Sequence, residues 1–283
     1  MNGKTNEEWL VLVDQALAGN GEALETLVQA MQETVFNFSL RMLGSFADAE
    51  DAAQEILLKV ITHLADFRRE SAFGTWVFSI AANHLKDYKK NMFAAHPLSF
   101  EFYGADIEHA KISGIPDLTQ DVDKALLAEE LKLSCTNVML QCLDPESRCI
   151  FILGTMFKVD SRMAGDILGM TAEAYRQRLS RTRRKMADFL SAYCGEYGQG
   201  KCHCRDRLNY AIQSHRLQPD CLPYTAVKTV PMETMVEVKT AMESIDDLSQ
   251  QFTFCKAYAS PETLRQSIEA FLASSLAGAV KRP

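Results

Sequence analysis

Apolar residues recur at intervals of three and four along nearly the whole chain of 283 residues. That spacing is the mark of helices that bury one face. It predicts a first helix capped by Thr5 or Asn6, running through Leu17 and closed by Gly19-Asn20-Gly21. A second runs from about Glu22 to Leu43 and stops at Gly44. Asp48 then opens the clearest helix, to about Asp66, with Ala49, Ala52, Ala53, Ile56, Leu57, Val60, Ile61 and Leu64 as one apolar stripe. Its opposite face carries Asp48, Asp51, Gln54, Glu55 and Lys59. After the polar loop Arg68-Arg69-Glu70-Ser71 a further helix spans about Ala72 to Asn91. Four such helices make a compact bundle, residues 1–95.

Between residues 96 and 122 the periodicity fades and Pro97, Gly104, Gly114 and Pro116 appear, as in a linker. The stretch to Asp123 is acidic, with Glu101, Asp106, Glu108, Asp117, Asp121 and Asp123 against Lys111. A second helical unit, residues 123–192, begins with a helix from about Val122 to Leu143, whose apolar stripe is Ala128, Leu131, Cys135, Val138 and Cys142. Asp144-Pro145-Glu146 restarts a helix: a cap, proline in the first turn, then an acid near the positive end of the dipole. Another helix follows over Ser161 to Leu168, Gly169 turns, and Thr171 caps a last one to about Tyr193. Residues 193–283 form an extension with helices at about Met232 to Gln251 and Pro261 to Leu276, the latter capped by Ser260. Strand patterns are missing, and Val227 to Val230 stays unassigned. The expected fold class is all-α: two small helical domains joined by a flexible linker, plus a mostly helical C-terminal extension.

Composition is that of a folded soluble protein, with 47% hydrophobic and 24% charged residues and a net charge of −7. A uniformly acidic surface repels phosphate, which excludes a chain that coats nucleic acid indiscriminately but leaves room for a local basic face. The longest apolar run, Cys149 to Phe157, is about half of what spans a bilayer. The polar start MNGKTNEEWL does not read as a signal peptide. A cytoplasmic location with no membrane contact is expected, and there the eight cysteines stay mostly reduced.

Against that acidic background, Arg176, Arg178, Arg181, Arg183, Arg184 and Lys185 cluster on the helix that Thr171 opens, with Glu173 as the single acid. A helix, a glycine turn and a basic helix have helix-turn-helix proportions. Guanidinium groups fork onto phosphate oxygens or onto guanine edges in the major groove. The first bundle sets Phe73, Trp76, Phe78 and Tyr88 beside Asn83, Lys86, Lys89 and Lys90 on one helix. Trp76 and Phe78 are assigned to the core; an exposed aromatic there would stack on an unpaired base while Asn hydrogen-bonds its edge.

These residues together carry a resemblance. DAEDAAQEILLKVITHLADFRRESAFGTWVFSIAANHLKDYKK, Asp48 to Lys90, resembles conserved region 2 of bacterial RNA polymerase sigma factors of the extracytoplasmic-function (ECF) type. LDPESRCIFIL, then Leu168-Gly169 with TAEAYRQRLSRTRRKM, is similar to region 4, more loosely. Met163-Ala164-Gly165 departs from the family's usual Glu-Ile-Ala. The likeness covers about residues 8 to 192.

The resemblance implies a transcription initiation factor, not an enzyme, whose partners are core RNA polymerase (the β′ clamp helices and the β flap) and promoter DNA, with a separate anti-sigma factor as a further partner. By position it places Asp48, Asp51, Gln54 and Glu55 on the clamp helices. It places Lys59, Asn83 and Lys86 at the minus-ten element, where a base flips into a pocket shaped by the loop Phe67 to Phe73. Thr171, Arg176, Arg178, Arg181, Arg183 and Arg184 go to the minus-thirty-five element, and the acidic linker to the polymerase's basic channels. A C-terminal extension of this kind would regulate the sigma domains.

In the extension, Cys194, Cys202 and Cys204 could hold zinc or another thiophilic metal, with His203, His215 or Cys221 as a fourth ligand. The spacing is not the usual pair of Cys-x2-Cys knuckles, and a packed segment without metal is the alternative. Cys135 and Cys142 read as core. A stand-alone helix-turn-helix regulator with a metal- or redox-sensing tail is the alternative function; it leaves the first bundle unexplained. An enzyme would need a carboxylate pair, a phosphate loop or a nucleophile–base pattern, and none is recognisable.

Overall fold

A computed structural model describes residues 5–88, 97–110, 112–119, 122–226, 229–230 and 257–274. The first bundle comprises α1 (Asn6–Leu17), α2 (Gly21–Leu43), α3 (Phe46–Thr62) and α4 (Phe73–Lys86). Thr5 and Glu8 form a capping box on α1, and Gly44 ends α2 in the left-handed conformation at φ 76°. Ser45, rather than Asp48, opens α3: its hydroxyl accepts the Asp48 N–H at 3.4 Å. The expected stripe Ala49, Ala52, Ala53, Ile56, Leu57, Val60 and Ile61 is buried throughout.

The second unit comprises α6 (Lys124–Gln141), α7 (Pro145–Phe151), a π turn (Ile152–Met156), α8 (Ser161–Leu168) and α9 (Ala172–Tyr193). It does not hang free of the first. Phe157, just past the π turn, meets Phe38 of α2 and Phe78 of α4 at ring-centroid distances of 5.8 and 5.9 Å. One continuous core runs through both units, and α8 lies on α4. The segment between them carries its own helix, α5 (Phe100–His109), so it is less open than its prolines and glycines suggest. Tyr103 of α5 stacks on Phe189 of α9 at 5.5 Å, and Lys185 lies 5.0 Å over the Phe100 ring.

Two buried arginines join the units. The C-terminal ends of α2 and α6 converge, and each leaves backbone carbonyls without an intrahelical donor. Arg148 of α7, 7% exposed, answers both. It donates to Met42 O (2.6 Å) of α2, and to Leu140 O (2.9 Å), Gln141 O (3.2 Å) and Leu143 O (2.8 Å) around the end of α6. Burial pushes its guanidinium down to about 10, still charged at neutral pH. Arg41 of α2 donates to Asn137 Oδ1 of α6 at 2.9 Å, while Gln141 Nε2 donates back to Arg41 O at 3.3 Å.

These contacts correct the reading of α6. Of the expected stripe, Ala128, Leu131, Cys135 and Val138 are half-buried and Cys142 is buried, while Leu127, Glu130, Leu133, Asn137, Leu140 and Gln141 are buried. A hydropathy pattern cannot see this face, because its polar members are satisfied by distant segments. Glu130, for example, accepts from the Tyr224 N–H (3.0 Å) and the Thr225 N–H (2.7 Å).

Beyond α9 come a 3-10 turn (Arg205–Arg207), α10 (Leu208–Gln213) and α11 (Pro223–Ala226). The unassigned stretch supplies β1 (Thr229–Val230), antiparallel to β2 (Ala257–Tyr258). The last helix, α12 (Glu262–Ala273), lies on α2 and α3. Ser260 does not cap it: its hydroxyl accepts instead from Gln32 Nε2 of α2 at 2.9 Å. The helix expected at Met232 to Gln251 falls outside the described residues.

Two outcomes follow from this architecture. Replacing Arg148 with Met strands buried carbonyls at two helix ends, and urea denaturation should show a loss of about 3 kcal/mol. Asp106 of α5 accepts from Tyr210 (2.9 Å) and Arg216 Nη2 (2.8 Å), and the Arg216 bonds hold its carboxyl below the ordinary value. A depressed carboxylate stabilises above its unfolded pKa, about 4, and that contribution is lost as pH falls through the folded value. The urea midpoint of Asp106→Asn should therefore change less than wild type between pH 5 and pH 2.5.

Candidate nucleic-acid interface

The basic helix α9 is opened by Thr171, whose Oγ1 accepts the Ala174 N–H at 3.2 Å. The turn before it is tight. A Cβ at Gly165 would lie 2.6 Å from Met170 O, which accounts for glycine at the departure from Glu-Ile-Ala. Buried Tyr175, Leu179, Met186 and Phe189 hold α9 to the core and turn Arg176, Gln177, Ser180, Arg181 and Arg184 to solvent. Arg176 donates to Ser161 at 3.1 Å, and Arg178 pairs with Glu146 at 2.5 Å.

Arg183 is different. It is half-buried and donates to Thr155 Oγ1 (3.1 Å) and Gly154 O (3.2 Å), so it braces the π turn. Gln177 was missed by reasoning that weighed only positive charge, yet its amide stands on the open face and is suited to an adenine edge.

On the first bundle, Glu55 and Lys59 of α3 with Ile80, Asn83, His84, Asp87 and Tyr88 line an open cleft of about 560 Å³. Lys59 Nζ donates to His84 Nδ1 at 2.7 Å. That leaves the ring proton on Nε2, which lies 3.5 Å from Glu55 Oε2. His84 was not anticipated, although it directly follows Asn83 and shares its end of α4. Asn83 is exposed at the rim.

Lys86 is not brought to this cleft. It lies on the α7 side of α4, where its charge reaches the buried Cys149 thiol. The loop 67–73 also lies elsewhere: Phe67 and Phe73 pack with Trp76 at 5.2 and 5.9 Å, and Trp9 of α1 meets Phe73 at 5.8 Å. Trp76 is accordingly part-buried and Phe78 fully buried.

The acidic face of α3 divides between two ridges. Asp48, Asp51, Glu55 and Lys59 follow one another at three- and four-residue spacing and lead into the cleft. Partial burial, reinforced by Asp51, raises the Asp48 carboxyl, against the Ser45 hydrogen bond. Gln54 belongs to the neighbouring ridge, one turn beyond Glu50, whose carboxylate accepts from Thr263 of α12.

The cysteines after α9 form a compact turn. Cys202 N–H donates to Tyr193 O and Gly195 N–H to Cys202 O, both at 3.0 Å, which sets Cys194 and Cys202 side by side. A Cβ at Gly200 would lie 2.0 Å from the Tyr193 carbonyl carbon. Cys202 and Cys204 face Cys135 across a cavity of about 430 Å³, and Tyr103 donates to Cys135 Sγ at 3.0 Å. Burial pushes the Cys135 and Cys204 thiols up to about 12 and raises Cys202, so they are neutral. Among the described residues no group of three or more His, Cys, Asp or Glu side chains is arranged to hold a metal ion.

Fold and site define a helical protein with an open cleft on one bundle and a basic helix exposed on the other. Residues 27–91 match the Sigma-70 region 2 family. The chain is 28% identical over 186 residues to the RNA polymerase sigma factor NccH of Alcaligenes xylosoxydans xylosoxydans, covering 64% of this chain and 96% of that one. It is 24% identical over 179 residues to the ECF RNA polymerase sigma factor SigW of Bacillus subtilis, covering 62% and 92%. A solved structure of CnrH in complex with the cytosolic domain of CnrY is similar at 22% identity and TM-score 0.47, over 64% of this chain and 95% of that one. The chain belongs to the ECF-type RNA polymerase sigma factors. It is a transcription initiation factor that directs RNA polymerase to promoters.

The exposed and the bonded arginines of α9 separate experimentally. Arg183→Ala should lower stability by about 1.5 kcal/mol through its lost charged hydrogen bonds. Arg181→Ala should leave the melting temperature nearly unchanged and weaken promoter binding by the polymerase complex roughly tenfold.

Proposed function

We propose that the chain binds the clamp helices of the polymerase β′ subunit through Asp48, Asp51, Gln54 and Glu55, and reads a flipped minus-ten base with Lys59 and Asn83. The observation that carries this is their continuity. The ridge from Asp48 through Glu55 runs directly into the cleft, and the Lys59–His84–Glu55 chain joins the acidic face to the base-reading one. Polymerase docked on that ridge would hold a separated strand over Asn83. Arg176, Arg181 and Arg184, with Gln177, enter the major groove at the minus-thirty-five element, while Thr171 and Arg178 position the helix end. The second unit also meets the β flap. Among the described residues no helix is long and apolar enough to cross a membrane, which suits a factor working on polymerase in the cytoplasm.

The acidic whole-chain balance fits this division of labour. A basic face on α9 is offset elsewhere, so DNA binding depends on polymerase presenting the two readers together. A stand-alone helix-turn-helix regulator would have no use for the cleft or the acidic ridge.

The test is run-off transcription with purified core polymerase. Wild type should support promoter-specific transcripts. Asn83→Ala should lower open-complex formation about tenfold, read by permanganate reactivity of unpaired thymines, while core binding stays within twofold. Loss of core binding in that variant would place Asn83 in the polymerase interface instead.

A further inference from the structure

The C-terminal arm reaches back across the whole sequence to the first bundle and divides into two parts of different character. The first part, residues 257–260, is anchored. Asn37 of α2 treats the Tyr258 backbone as a strand partner would: the Tyr258 N–H donates to Asn37 Oδ1 at 2.8 Å and Asn37 Nδ2 donates to Tyr258 O at 2.7 Å. The Tyr258 ring is completely buried among Phe46 and Tyr224, at 5.5 and 5.9 Å, with Arg41 5.4 Å above it.

The second part, α12, is held by one apolar face, where Phe271 and Leu272 also pack part-buried against the core. Its N-terminus has no side-chain cap, and its buried residues are Leu264 and Ile268. Its outer face is exposed and carries Glu262, Arg265 and Glu269 paired among themselves. Its contact with α3 runs along the ridge of Glu50, through Thr263.

That ridge is the one on which Gln54 stands, one turn further on. A helix with its side chains is about 10–12 Å across. A second helix therefore cannot lie on Gln54 while α12 occupies the flank at Glu50. We infer that α12 is an intramolecular competitor of polymerase: it covers the Glu50–Gln54 flank of α3, is displaced when polymerase docks, and stays tethered through the buried Tyr258 anchor.

The inference rests on the polymerase-binding role assigned above to the acidic face of α3. Tethering gives the competitor a high effective concentration, so a helix that can leave its apolar seat still shields its site. The hinge falls at Pro261, between the anchored residues 257–260 and the first turn of α12. Proline has no N–H for α12's first turn to lose, and the Ser260 hydroxyl is tied to Gln32 rather than to the helix.

The experiment uses the full chain with core polymerase. Hydrogen–deuterium exchange of wild type should show amides of residues 262–273 losing protection when core polymerase is added, while Tyr258 stays protected. Unchanged or increased protection of α12 in the complex would overturn the inference. As a second arm, Leu264→Asp/Ile268→Asp should lower the apparent Kd for core polymerase roughly tenfold, the factor by which the competent state is enriched. Equal affinity of that variant and wild type, with α12 shown by exchange to be released, would also overturn it. If neither protein bound core polymerase, the failure would lie with the polymerase-binding role itself. A milder variant, Thr263→Val, removes the Glu50 contact without charging the core and should shift the Kd in the same direction by a smaller factor.

Discussion

The structure depends on how the C-terminal ends of α2 and α6 are satisfied. The last carbonyls of a helix have no donor of their own and carry the negative end of its dipole, so two such ends cannot meet in a dry core without a cation. Arg148 is that cation. Its planar fork gives donors in several directions at once, which a lysine would not supply. With Arg148 in place, Met42, Leu140, Gln141 and Leu143 are all bonded, and the two helical units share one interior. Arg41 extends the same arrangement, taking Asn137 on one side and the Tyr258 ring on the other.

This junction determines what the functional surfaces face. With Phe157 seated against Phe38 and Phe78, α4 is covered by α8 on one side, and its other side is left to form the cleft with α3. The covered side takes Lys86 away from the residues that line this cleft. On α9, burial of Tyr175 and Leu179 settles which arginines are free. Arg181 and Arg184 stand in solvent, whereas Arg183, only two residues from Arg181, is drawn into the π turn. Such distinctions follow from rotation around the helix axis, about 100° per residue, yet they separate a solvent-facing arginine from a structural brace.

The chemistry at the tail follows the same logic. Tyr103, Cys135, Cys202 and Cys204 meet only because α5 docks on α9 and the chain turns sharply after Tyr193. The resulting Cys135 and Cys204 thiols are buried and neutral. Meanwhile α5 is helical and seated on aromatic rings, so the acidic stretch between the units is a docked element rather than a bare tether.

Much of this was legible in the sequence alone, wherever the cause is local. Thr5, Asp144 and Thr171 cap helices through side-chain oxygens a few residues from the amides they accept. The apolar stripe of α3 is buried because a 3.6-residue period leaves it one direction to face. The family likeness of Asp48 to Lys90 rests on the same short-range pattern of helix faces and loop residues. Tertiary structure alone decided the long-range pairings: Arg148 with Met42, Asn37 with Tyr258, Glu130 with the Tyr224 and Thr225 amides, and Lys59 with His84. The reason is physical. A buried polar group is indistinguishable from a solvated one along the chain, because its partner lies dozens to hundreds of residues away and becomes a partner only when packing excludes water from both.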